Sequence, residues 1–91
     1  MPGGGMVLVI LPPALVRLFP GATMQVELAA ATVIEAIDAL DRAWPGMRDR
    51  LCDSRPSLRR HIDVFVGGQR ATLTTSLPAG TELHIVTAML G

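Results

Sequence analysis

Side chains able to do chemistry are sparse in this chain, and none falls into a catalytic spacing. Cys52 stands alone, so it forms neither an intramolecular disulfide nor, by itself, a zinc site. No histidine or lysine lies close in sequence to lower its pKa. It reads as a small, half-buried residue near the end of a helical turn, with sulfur handling as the sharper alternative. His61 and His84 are the only histidines and fall on separate expected strands. A metal centre needs three or four ligands with supporting carboxylates, so no metal site is expected. Ser54, Ser57 and Ser76 lack the elbow sequence of a hydrolase nucleophile. Gly3-Gly4-Gly5 and Gly67-Gly68 do not continue into the lysine and hydroxyl residue of a phosphate loop. The pairs Asp38/Asp41 and Asp49/Asp53 read as solvated faces. No catalytic residue is expected, and the chain is not expected to be an enzyme.

Charge narrows the partners. Eight positive side chains balance eight carboxylates, and all eight positives are arginine. A nucleic-acid binder carries a basic excess, which is missing here, so no measurable affinity for duplex DNA at physiological salt is expected. The nearest approach to a basic patch is Arg55, Arg59, Arg60 and His61, which reads as a solvated strand edge or a docking rim; with Phe65, the residues Arg59, Arg60 and His61 are the candidate rim. Without lysine there is no side-chain amine to accept an isopeptide bond. The glycine-rich start, residues 1–5, is expected to be disordered, and it lacks the basic flank and apolar stretch of a signal peptide. The apolar run Met6–Leu11 is far short of the ~20 residues that cross a bilayer. No membrane association is expected, and the lone cysteine fits a reducing cytoplasm.

The elements that must position any site follow from periodicity. Met6–Leu11 is a continuous apolar run and reads as a strand buried on both faces, stopped by Pro12-Pro13. Met24–Leu28 alternates apolar and polar, the mark of a half-buried strand. Thr32-Val33-Ile34-Glu35 is a capping box. Val33, Ile37, Leu40 and Trp44 then follow at helical spacing, and Pro45-Gly46 ends the helix. Met47–Cys52 reads as a short further turn and Asp53–Ser57 as a loop. Leu58–Val66 reads as the next strand, Gly67-Gly68 as a hairpin turn, Gln69–Leu73 as a short strand, Leu77–Gly80 as a turn, and Leu83–Val86 as part of a last strand.

This order, a hairpin, a crossing helix and further strands, predicts an α+β fold. Its mixed sheet of four to five strands has one main helix across one face and the first and last strands parallel at the centre, because a single apolar helix face buries itself on a single sheet. That is the β-grasp, or ubiquitin-like, arrangement. It spans residues 6–91, with residues 87–91 as a C-terminal tail.

Specific segments resemble the ThiS/MoaD family of ubiquitin-like sulfur carrier proteins. They are the opening strand with Leu11-Pro12-Pro13-Ala14-Leu15-Val16-Arg17, the helix start Ala31-Thr32-Val33, Trp44-Pro45-Gly46-Met47-Arg48-Asp49-Arg50-Leu51, Leu58 through Gly68, and Leu77-Pro78-Ala79-Gly80-Thr81-Glu82-Leu83. They occur in family order across nearly the whole chain from Met6 onward. The stretch Leu58–Gly68 looks most like the carriers that serve cysteine synthesis and related small modifiers, and less like the small subunit of molybdopterin synthase. The resemblance implies a tail whose terminal glycine carboxylate is adenylated by a ubiquitin-activating-type adenylyltransferase, which uses ATP, and is then converted to a thiocarboxylate. The sulfur would pass to an acceptor in a synthase, such as a PLP-dependent cysteine synthase-like enzyme, and the carrier itself would bind no cofactor. It assigns Gly91 as the loading site and Thr87, Ala88, Met89 and Leu90 as the lead-in to a partner's channel. Glycine suits such a tail because a Cβ would clash in a narrow channel. The family pattern ends Gly-Gly, whereas this sequence ends Leu90-Gly91, and Thr87 stands where proline is common. Three readings stay open: a tail one residue short, loading on a single glycine, or a β-grasp binding module that has lost the carrier chemistry.

Overall fold

The computed structural model describes residues 5–87. In chain order the elements are β1 (Met6–Ile10), α1 (Pro13–Val16), β2 (Gln25–Ala29), α2 (Val33–Ala43), α3 (Met47–Leu51), β3 (Ile62–Val66), β4 (Gln69–Ala71) and β5 (Glu82–Thr87). The sheet runs β2-β1-β5-β3-β4. β1 and β5 are parallel at its centre, and the other neighbours are antiparallel. The expected β-grasp layout is the observed one.

The capping box forms with a shift of one residue. The Glu35 amide donates to Thr32 Oγ1 at 3.3 Å, while Glu35 Oε1 accepts from the Ala31 amide at 2.9 Å rather than from that of Thr32. Two further amides at the start of α2 donate to the β4–β5 connection, Val33 to the Thr75 carbonyl and Ile34 to the Leu73 carbonyl. The amide hydrogens that every helix start leaves unpartnered are thus satisfied, and the helix is tied to the sheet. Val33, Ala36, Ile37 and Leu40 are fully buried against Val7, Val9, Val64, Leu83 and Ile85. Trp44 lies just past the helix and packs half-buried on the same core. Gly46, at φ 99°, makes the left-handed step from α2 to α3. Gly67 and Gly68 both have positive φ, as the two-residue β3–β4 hairpin turn demands.

Several expectations need correction. β1 is not buried on both faces: Val7 and Val9 are buried, Leu8 and Ile10 half-buried, and Met6 exposed. Among the described residues no second layer covers the outer face, so an apolar run there meets solvent. The strand expected over Leu58–Val66 begins only at Ile62. Leu58 makes an isolated bridge to Cys52, and the Ile62 amide closes a turn onto the Arg59 carbonyl. β2 runs one residue later than Met24–Leu28, and β4 stops at Ala71. The turn of helix at α1 was not anticipated, although proline at its first position is a helix-start signal. Cys52 is fully rather than half buried, and burial pushes its thiol pKa up, against a sulfur-handling role.

Candidate functional site

β5 is the strand that carries the expected tail. Antiparallel pairing to β3 accompanies it to its end, through Ile62↔Thr87, whereas parallel pairing to β1 stops at Ile10↔His84. Beyond Ile10 the neighbouring chain turns into Pro12-Pro13, which have no amide hydrogens to offer. The last residues of β5 therefore run past β1 beside an open groove of about 850 Å³, lined chiefly by Ile10, Pro12, Pro13, Met24 and Val86. Met24 and Val86 are among the exposed large apolar residues.

On the other flank of Thr87 lies a smaller notch, about 240 Å³, walled by Ala14, Leu15, Leu18, Arg50 and His61. It adjoins a polar recess lined by Asp49, Arg50, Arg59 and His61. α3 positions this recess, because Met47 and Leu51 anchor the helix in the core and leave Arg50 in water. Arg59 is held in place as well. Its amide donates to the Leu51 carbonyl at 2.9 Å, and its Nε donates to the Asp49 carbonyl at 2.6 Å.

Of the candidate rim, Arg59 and His61 share this recess, and Arg60 is exposed between them in sequence. Phe65 stands apart. It pairs with His84 and Arg70 on the open face of the sheet, about 13 Å further along β3 at the usual strand rise. Arg50 was not among the candidates. Only the packing of α3 against the turn before β3 brings it to His61. Of the expected lead-in, Thr87 is the last described residue and closes the β3–β5 ladder. Ala88, Met89, Leu90 and the loading residue Gly91 lie outside the described residues, as do residues 1–4 of the expected disordered start.

The carboxylates expected to be merely solvated hold backbone and side chains together. Asp41 Oδ1 accepts from the amides of Gly46 and Arg48, both at 3.0 Å, and so caps α3. Asp38 pairs with Arg48 at 2.9 Å. Asp53 accepts from the Arg55 guanidinium and amide and from the Ser57 amide and hydroxyl, which hold its carboxyl well below the usual carboxylate range, the Arg55 side chain most of all. Among the described residues no group of three or more His, Cys, Asp or Glu side chains could hold a metal ion. Nor, among them, is any helix long and apolar enough to cross a membrane.

No family model and no curated protein sequence matches the chain. Solved structures do. A chain of the Amycolatopsis orientalis BexX/CysO complex aligns at 30% identity and TM-score 0.83, covering 93% of this chain and 98% of that one. This protein belongs to the ThiS/MoaD family of ubiquitin-like sulfur carriers. SAMP1 from Haloferax volcanii aligns at 29% identity and TM-score 0.81, over 96% of this chain and 99% of that one. Mycobacterium tuberculosis CysO, at 24% identity and TM-score 0.80 over 91% and 99% of the two chains, shares the fold. The family's members are small carrier and modifier proteins rather than catalysts.

Proposed function

We propose that this protein carries sulfur on the carboxylate of Gly91. An adenylyltransferase of the ubiquitin-activating type joins that carboxylate to the AMP portion of ATP and releases pyrophosphate. A sulfur donor then displaces AMP and leaves a thiocarboxylate. The thiocarboxylate sulfur bonds to an acceptor held in a synthase, for which a PLP-dependent cysteine synthase-like enzyme is the proposed class. Water then attacks the thioester carbonyl, the tail's C–S bond breaks, the sulfur stays on the acceptor and the carboxylate is regenerated. The carrier contributes the tail and a docking face, and proximity in the partner's site does the rest. The reaction calls for no cofactor bound to the carrier itself.

One observation carries this reading beyond family membership. The central strand β5 outruns β1, so Thr87, its last residue, lies between an apolar groove and a notch that adjoins a cationic recess. A strand so placed delivers whatever follows it to a protein seated on that end of the sheet.

The test is pyrophosphate release with ATP and the adenylating enzyme of the same organism. It compares the chain ending at Gly91, the chain with one added glycine, and Gly91→Ala. Activity of the first with loss in the third supports loading on Gly91. Activity only with the added glycine places the loading site one residue further on. If all three are inert while the enzyme activates another carrier, the carrier reading fails and a non-catalytic β-grasp binding module replaces it.

A further inference from the structure

Ion pairing engages three of the eight arginines. Arg48, Arg55 and Arg70 each face an aspartate within 3.1 Å. Among the described residues Arg17, Arg42, Arg50, Arg59 and Arg60 face none; of these Arg50 and Arg59 share a recess with His61 near Thr87, and Arg60 is their exposed neighbour in sequence. Asp49 is the one carboxylate lining their recess. In a chain of zero net charge this is a local positive excess. It is also ordered in advance. Arg59 spends its Nε–H on the Asp49 carbonyl, which leaves the two terminal guanidinium nitrogens for an incoming group. Arg50 stands on a helix whose other face is locked into the core.

We propose that this recess is a docking site for an acidic segment of the protein that receives the tail. The inference rests on the carrier reading. Arg50 and His61 also wall the notch that touches Thr87, so a protein that takes the tail at Thr87 must cover them. Guanidinium forks match carboxylates in geometry as well as charge. A nucleic acid fits less well, because three arginines neutralise few phosphates where tight binding takes about 6–10 contacts. Charges at an interface rim act chiefly on encounter rate and salt dependence, so the recess steers the carrier onto its partner without entering the chemistry.

The test is the double substitution Arg50→Glu and Arg59→Glu, with Arg42→Glu on the exposed side of α2 as control. The first readout is pyrophosphate release against carrier concentration. The double variant is expected to raise KM about 10-fold with kcat unchanged, and to lose the rise of KM with salt that the parent shows. The control should match the parent. An unchanged KM in a double variant that unfolds at the parent's temperature overturns the proposal.

A second readout stands apart from turnover and distinguishes failure of this proposal from failure of the carrier reading. An octaglutamate peptide is titrated into isotope-labelled protein and backbone amide shifts are followed. Shifts at Arg50, Arg59, Arg60, His61 and Thr87, absent in the double variant, support an acidic partner even if the adenylating enzyme turns nothing over. Silence at these amides, or stronger shifts with a single-stranded RNA oligonucleotide than with the peptide, overturns it.

Discussion

The two faces of the sheet are built from the same strands and meet opposite fates. On the inner face Val7, Val9, Val64 and Leu83 are at most 1% exposed beneath α2. On the outer face Met6 is 54% and Val86 38% exposed, with Leu8, Ile10 and Phe65 half-buried between them. Strand geometry sends alternate side chains to opposite faces, but a chain of this length supplies one long helix, which covers one face. The same residue types are therefore core on one side and surface on the other. The outer face is dressed with polar pairs, Glu82 with His84 at 2.9 Å and Asp63 with Arg70 at 3.1 Å, instead of a second layer. The lesson is that apolar character marks a strand, while burial depends on what lies across from it.

Substitutions can break this contrast. Leu40→Ala, beneath the helix, is expected to cost about 2–5 kcal/mol in denaturant unfolding, the range for a large-to-small change in a closed core. Should Val86→Ala on the outer face cost as much, the two faces are not the distinct environments described. Thr32→Ala removes the cap that starts the covering helix, and a loss of about 1 kcal/mol is expected from the same measurement. Next in size is the outer-face pair: Arg70→Ala should change stability by no more than about 0.5–1 kcal/mol, because exposed ion pairs contribute little, and the change should shrink further in high salt.

The smallest effect lies off both faces, in the loop that Asp53 organises. Its folded-state pKa is depressed, so its contribution is complete above the unfolded value of about 4 and is lost as pH falls below it. The stability gap between the parent and Asp53→Asn should therefore be widest at neutral pH and narrow below about pH 4. A gap that stays constant through acid titration would show that the loop does not depend on the ionised carboxylate.

Much of the fold was legible along the chain. Thr32 and Glu35 announced the helix, its apolar spacing announced the face it buries, and Gly67-Gly68 announced the hairpin, because caps, turns and periods are decided by neighbours in sequence. Leu58–His61 misled as a strand, since its single leucine among charged residues belongs to a bridge with Cys52 that no local pattern records. α1 went unseen because a proline pair reads first as a stop, although Pro13 also suits a helix start.

The site divides the same way. Arg59, Arg60 and His61 drew attention as a charge run. Arg50, which completes their recess, comes from α3 and joins them only through the Arg59 contacts to Asp49 and Leu51. Phe65, a neighbour of the run in sequence, is carried along β3 onto the open face. The sequence by itself determined β1, β2, α2, the β3–β4 hairpin and their order, because these depend on residue type and short spacing. Tertiary structure alone decided which face of β1 meets solvent, which aspartates disarm which arginines, and that Arg50 joins Arg59 and His61 near Thr87, because each depends on contacts between residues far apart in the chain.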